Sequence, residues 1–134
     1  MGAGEREFLG VGWKFPLQVT PDGKIAQARL EQRIEDSVYL ILGTAKGERV
    51  MRPAFGCDIH GLVFAPNDGR TTALVVHSVR EALVANEPRI DVLDVGAESP
   101  PGQENLLLIR VSYRIRANNA VGNLVYPFFI REAT

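Results

Sequence analysis

Between residues 107 and 116 every second side chain is apolar, and this alternation limits the fold of the 134-residue chain more than any other feature. A period of two is that of a β-strand, in which successive side chains point to opposite faces of a sheet. The apolar face carries Leu107, Ile109, Val111, Tyr113 and Ile115. The opposite face carries Leu108, Arg110, Ser112, Arg114 and Arg116. We therefore predict a strand that buries its first face in a core and exposes its arginine-rich face.

Two neighbouring segments are predicted to complete a sheet around this strand. Residues 90–95 are mostly apolar and are followed by the loop signal Ser99-Pro-Pro-Gly. On the other side, a turn over residues 118–123 leads to an apolar segment, residues 124–130, that returns alongside. Consecutive strands joined by short connections form an antiparallel three-stranded meander.

Two amphipathic helices are predicted ahead of the sheet. Residues 26–42 place apolar side chains three and four positions apart, and Gly43 is suited to end this helix. The second helix is predicted from the capping residues at Asn67-Asp68 to about Asn86, because Pro88 prevents its continuation. The fold class is therefore α+β, with two helices packed on a small antiparallel three-stranded sheet.

The chain is short enough to form one domain, residues 1–134. Residues 8–17 are rich in glycine and aromatic side chains without a helical period, so we predict an extended N-terminal arm over residues 1–25. The arm is expected to end at a turn formed by Thr20-Pro-Asp-Gly. Residues 44–69 carry repeated glycines and prolines and are expected to be mostly irregular.

Charge and composition exclude several classes of function. The net charge is −1, with 15 basic and 16 acidic residues, so we expect binding to neither nucleic acid nor an anionic membrane. No signal peptide or membrane-spanning apolar run is expected. The lone Cys57 cannot form an internal disulfide, and with His60 and His77 it supplies too few ligands for a structural zinc site. We expect no metal or cofactor, and synthesis in a reducing cytoplasm.

The predicted last strand is apolar on both faces. Leu124, Tyr126, Phe128 and Ile130 share one face, whereas Val125 and Phe129 lie on the other. Pro127 lacks an N–H group and is therefore tolerated mainly on an edge strand. Because a bare apolar edge promotes aggregation, the usual solution is a partner strand, and we predict that these six residues bind one.

Three charged motifs have both a structural and a functional interpretation. Glu87-Pro88-Arg89 joins the second helix to the first strand, where a local ion pair is the structural interpretation and docking on a partner is what the family resemblance given below implies. Glu48-Arg49 follows the first helix and is either a solvated turn or part of the same corner. The row Arg110, Arg114 and Arg116 is either a solvated strand face or a surface that meets an acidic neighbour.

An enzyme is the main alternative to a binding protein. A glycosidase needs two carboxylates across a cleft, and Glu48 and Glu87 are the candidate pair. Each lies next to an arginine, which lowers a carboxyl pKa and defeats the general acid. Cys57 with His60 or His77 would form a thiol dyad, but a lone cysteine is usually buried and inert. We therefore expect no catalytic residue.

An ordered series of short motifs resembles a known family. In chain order these are Gly12-Trp13, Phe15-Pro16, Ile34 to Leu42, Thr44 to Arg49, Arg52-Pro-Ala-Phe-Gly56, Glu87-Pro88-Arg89 and Val125-Tyr-Pro-Phe128. The series is similar to that of the baseplate wedge, or sheath-initiator, family of contractile phage tails, type VI secretion and extracellular contractile injection systems. Some members of the family carry lysozyme-like names. The resemblance covers residues 8–130 and does not distinguish among these machines.

The resemblance implies a structural baseplate protein rather than an enzyme. Glu87, Pro88 and Arg89, with Glu48 and Arg49, would dock on the helical bundle of the wedge proteins. Residues 124–130 would pair with sheath strands and so initiate sheath polymerisation. Tube or hub proteins are further candidate partners, and a sixfold baseplate implies about six copies of the chain. Assembly in the cytoplasm into a phage tail-like particle is expected, whereas an adaptor of unrelated origin would exchange no strand at this edge.

Overall fold

The computed structural model describes residues 21–49 and 51–131. Its helices are α1, Pro21–Gly43, and α2, Gly69–Asn86, with a short 3-10 helix at Asp58–Leu62 between them. The strands are β1, Ile90–Glu98, β2, Leu106–Ile115, and β3, Val121–Phe129. The predicted α+β fold of two helices and an antiparallel three-stranded sheet is confirmed.

The chain divides into two compact units, residues 1–33 and 34–134, and the boundary falls within α1. The described part of the first unit is helical from Pro21. The turn predicted over residues 20–23 is therefore wrong for its described positions, because proline fits the first turn of a helix, where its missing N–H costs no hydrogen bond. Residues 21–25 of the predicted arm are likewise helical, and residues 1–20 lie outside the described residues. The single-domain assignment stays a prediction.

The sheet has the order β1-β2-β3, so that β2 is central and the other strands form its edges. Leu107 lies opposite Phe128, and Ile109 lies opposite Tyr126. The pairing of β1 with β2 shifts by one residue between Val92 and Asp94, which is a β-bulge. The prediction that the last strand is an edge strand is confirmed.

The core lies on the predicted apolar face of β2, where Leu107, Ile109, Val111, Tyr113 and Ile115 are all buried. The helices, β1, the segment between the helices and the chain from β3 onward supply further core side chains. These include Ile34, Val38, Ile41, Leu42, Val75, Val79, Leu83, Leu124, Phe128 and Ile130. The buried stripe of α1 thus begins at Ile34, whereas the predicted stripe began at Ala26, which is exposed.

Backbone contacts order the segment between the helices. The N–H of Cys57 donates to the Thr44 carbonyl at 2.9 Å, which returns the chain to the end of α1. Gly56 makes this return with φ of +121°, and a Cβ atom there would lie 2.5 Å from the same carbonyl oxygen. Only glycine satisfies both the conformation and the close approach.

Gly56→Ala is expected to lower the free energy of unfolding by about 1–3 kcal/mol, because a non-glycine residue is strained at this positive φ. The close contact of the new Cβ with the Thr44 carbonyl oxygen should add to this loss. The free energy of unfolding from urea titration measures the loss. Gly61→Ala is the matched control, because no atom lies within 4 Å of its added Cβ. Equal losses in the two variants would contradict this account of Gly56.

Candidate functional site

A buried carboxylate fixes an arginine where α2 meets β1. Glu87 caps α2, with its backbone N–H donating to the Leu83 carbonyl at 2.9 Å, and Pro88 then directs the chain into the sheet. Arg89 Nε donates to Glu87 Oε1 at 2.7 Å, and Arg89 Nη2 donates to Oε2 at 2.9 Å. The Glu87 side chain is 2% exposed, whereas that of Arg89 is 45% exposed. This bidentate pair presents Arg89 to solvent in a fixed orientation.

Hydrogen bonds hold Glu87 in its charged form. Burial by itself raises the pKa of Glu87, but hydrogen bonds from the Arg89 side chain, Ser37 and the Arg89 backbone lower it further than burial raises it. The net pKa of Glu87 therefore lies below its usual value, and the pKa of Arg89 is raised by the same contact. Of the two charges in the Glu87-Pro88-Arg89 motif, Arg89 faces solvent and Glu87 positions it.

The second predicted docking motif lies on the loop after α1. The Glu48 N–H donates to the Ala45 carbonyl at 3.2 Å, which forms a turn with both Glu48 and Arg49 exposed. Arg49 lies over the ring of Phe55. Asn86 Nδ2 donates to the Gly56 carbonyl at 3.4 Å, so this loop reaches the end of α2 beside Glu87. The structure thus brings the two motifs to the same end of the fold.

Strand β3 has the predicted two-faced pattern, because Leu124, Phe128 and Ile130 are buried while Val125 and Phe129 are 44% and 56% exposed. Tyr126 is half-buried. The contact of α1 with this edge was not predicted.

Tyr39 of α1 donates its hydroxyl to the Val125 carbonyl at 2.9 Å. Its ring lies 6.0 Å from that of Tyr126, measured between centroids. Sequence analysis missed Tyr39 because this contact joins residues 86 positions apart. The one feature of the sequence that could have drawn attention to Tyr39 is that an aromatic residue occurs in the helix outside its apolar stripe.

The arginine row on the outer sheet face is neutralised within the sheet. Arg114 and Arg116 both donate to Asp91 at 2.8 Å, and these contacts lower the pKa of Asp91. Arg110 donates to Glu98 at 3.3 Å. Its guanidinium lies where a side chain on Gly96 would otherwise be. These pairings favour the interpretation of the row as a solvated face.

Cys57 and His60 each contact a backbone carbonyl, in agreement with the expectation that the lone cysteine is buried rather than part of a thiol dyad. Cys57 is fully buried, its Sγ donates to the Ser78 carbonyl at 3.6 Å, and burial raises the pKa of the thiol. His60 Nε2 lies 2.8 Å from the Leu42 carbonyl and must be its donor, and His77 is exposed on α2. Within the described residues, no cluster of His, Cys, Asp and Glu is arranged to hold a metal ion. No helix in the same ranges is long and apolar enough to cross a membrane.

These features define a small α+β protein with an exposed, paired arginine at one corner and a strand edge beside exposed apolar side chains. The family model described as baseplate wedge protein gp25 matches residues 28–120, and the chain belongs to that family. The resemblance found in the sequence motifs is thereby confirmed.

Individual relatives agree with this assignment. The baseplate wedge protein gp25 of Enterobacteria phage T4 is 31% identical over 85 residues, which cover 63% of this chain and 64% of the phage protein. A Geobacter sulfurreducens structure described as a candidate tail lysozyme is 48% identical, with a TM-score of 0.72 over 78% of this chain and 95% of that one. A chain of the type VI secretion baseplate complex shares the fold, with a TM-score of 0.62 at 17% identity over 79% of this chain and 98% of that one.

Glu87→Gln is expected to lower the free energy of unfolding at pH 7 by about 1–3 kcal/mol, because the variant loses a charge-assisted pair. Since the folded pKa of Glu87 is lowered, its stabilisation is complete above the unfolded value of about 4.3 and is lost as pH falls through the folded pKa. The difference in the free energy of unfolding between wild type and Glu87→Gln should therefore become smaller below about pH 4.

Urea titrations between pH 7 and pH 3 measure this gap. Glu98→Gln is the control, because Glu98 makes an exposed ion pair that contributes little to stability. A gap for Glu87→Gln that stays constant across this pH range would show that the carboxylate charge contributes nothing.

Proposed function

We propose that this chain is a structural component of the baseplate of a contractile injection machine. It docks on neighbouring wedge proteins through its charged corner and offers the β3 edge to sheath subunits, which initiates sheath assembly. About six copies would surround a sixfold baseplate, with tube or hub proteins as further neighbours. The particle is assembled in the cytoplasm. The observation that carries the proposal is the exposed Arg89 clamped by a buried Glu87.

The Glu87–Arg89 ion pair is suited to docking because it lowers the conformational entropy that Arg89 loses on binding. A guanidinium has five N–H donors, and Glu87 engages only Nε and one Nη2 hydrogen, which leaves the others for a partner. Since the pair already fixes the side chain, little rotamer entropy is lost on association. The turn at Glu48-Arg49 extends the charged surface at the same end of the fold.

The β3 edge is suited to pairing with another strand, except at two positions, the Val125 carbonyl and Pro127. The Val125 carbonyl accepts the Tyr39 hydroxyl, so it faces away from β2. Backbone groups two residues apart in a strand face the same side, so the position of the missing N–H of Pro127 also lies on the free edge. An added sheath strand would displace the Tyr39 hydroxyl and pair on either side of Pro127. Val125 and Phe129 would then receive its apolar side chains.

The lysozyme alternative is disfavoured by the chemistry of Glu87. A glycosidase acid must hold a proton near neutral pH, which requires a raised pKa. Glu87 has a lowered pKa, is buried, and accepts two hydrogen bonds from Arg89. We therefore propose a non-enzymatic role, although the Geobacter sulfurreducens relative is described as a candidate tail lysozyme.

Arg89→Lys is expected to weaken docking about tenfold or more, because lysine keeps a charge beside Glu87 but lacks the planar fork. Arg89→Ala would leave the buried Glu87 without its partner and so confuse docking with stability. The measurement is co-purification of wedge proteins with the tagged variant from the native host, with thermal melting to verify folding. Arg114→Lys is the control, since Arg114 pairs with Asp91 on the sheet face. Baseplates that incorporate the Arg89→Lys chain at the wild-type level would refute the docking role.

Val125→Lys combined with Phe129→Lys is expected to leave baseplates intact but without sheath, because charged side chains on an edge oppose strand addition. Both positions are exposed, so the fold should survive. Deleting residues 124–134 would be a poorer test, since it removes Leu124, Phe128 and Ile130 from the core. Electron microscopy measures sheath length, with Val84→Lys on the exposed face of α2 as the control. Sheaths of normal length on the double variant would exclude pairing at this edge.

A further inference from the structure

Two arginines lie against one buried aromatic ring on the loop after α1. The guanidinium carbon of Arg49 is 4.7 Å from the centroid of Phe55, and that of Arg52 is 5.0 Å from it. Both arginines are exposed, whereas Phe55 is 6% exposed. The attraction of a cation to a ring face is about 0.5–1 kcal/mol at exposed sites, enough to favour these side-chain positions.

These two charges differ from the other arginines of the strands and corner. Arg89 and the three arginines of β2 and its end each have a carboxylate partner. Within residues 21–49 and 51–131, no ion pair joins Arg49 or Arg52 to a carboxylate; instead, both contact the Phe55 ring. Two positive groups on one ring repel each other, and an anion between or beside them would relieve that repulsion.

The loop holds this arrangement in place before any partner binds. The Arg52 N–H donates to the Arg49 carbonyl at 3.3 Å, and the Phe55 N–H donates to the Arg52 carbonyl at 3.0 Å. Gly56 then fixes the end of the loop against Thr44. Guanidinium groups already placed against an aromatic ring lose less entropy when they bind than free side chains do.

We propose that Arg49 and Arg52, stacked on Phe55, form a binding site for the carboxylates of an acidic protein segment on a neighbouring subunit. The proposal rests on the proposed baseplate role and enlarges its charged corner, because Asn86 links this loop to the end of α2. A planar guanidinium matches a carboxylate with two parallel hydrogen bonds, so aspartate and glutamate side chains are the fitting ligands. The chain's net charge of −1 disfavours a nucleic acid as the occupant.

A glutamate-rich peptide is the probe for the isolated full-length chain, and the same peptide with glutamine at each position is its control. In NMR titrations at low salt, the Nε–H signals of Arg49 and Arg52 are expected to shift with the glutamate peptide alone. Arg49→Gln with Arg52→Gln is expected to weaken binding roughly tenfold or more. Arg114→Gln should leave the affinity unchanged. Equal binding by the double variant, or tighter binding of a DNA duplex of matched charge, would overturn the carboxylate site.

Incorporation into particles in the native host separates this inference from the proposed function. Arg49→Gln with Arg52→Gln is expected to lower the amount of chain in purified baseplates, and Arg49→Lys with Arg52→Lys should lower it less. If the glutamine variant assembles normally while Arg89→Lys does not, the carboxylate site is wrong and the docking corner stands. If both assemble normally, both are wrong. Circular dichroism and thermal melting of each variant exclude unfolding as the cause of a loss.

Discussion

In a three-stranded sheet only the central strand is hydrogen-bonded along both of its edges, and this constraint organises the whole second unit. The inner side chains of β2 form the middle of the core, and both of its edges are hydrogen-bonded. Its outer arginines are paired with acidic side chains on β1, which balances the charge of that face. Within the described residues, the outer edges of β1 and β3 pair with no further strand, and the edge of β3 also lies beside the exposed Val125 and Phe129. The proposed pairing with a sheath strand at β3 is therefore compatible with the sheet's small size.

The charged corner follows from a second constraint, the end of α2. Pro88 stops the helix and leaves Glu87 buried, and a buried carboxylate is tolerated only when it is paired and hydrogen-bonded. Arg89, directly before β1, meets that requirement by pairing with Glu87. The same contact that stabilises the buried carboxylate at the end of α2 therefore also orients the exposed guanidinium. The local ion pair and the docking surface were alternatives in the sequence, but the geometry makes them compatible, because the pair uses only part of the guanidinium.

The sequence predicted those features that repeat along the chain. The alternation in β2, the presence of the two helices and the position of Pro127 in an edge strand each depend on neighbours within a few residues, and each was confirmed, whereas the predicted stripe of α1 is buried only from Ile34 onward. The features that were predicted wrongly or missed depend on the surrounding structure and not on residue type alone. Pro21 has the same local preference in a turn and in the first turn of a helix, so residue type alone could not decide between them.

The contacts that shape the candidate site join distant parts of the chain, which explains why the sequence did not indicate them. Tyr39 reaches Val125 across 86 positions, and Asn86 reaches Gly56 across 30. In both contacts a side chain donates a hydrogen bond to a backbone carbonyl. They differ in whether the bond could remain when a partner protein binds. The bond from Asn86 is part of the loop's own order and can remain on binding. The bond from Tyr39 occupies an acceptor that the proposed sheath strand would need, so in that proposal α1 covers this part of the edge in the free protein and would release it on pairing.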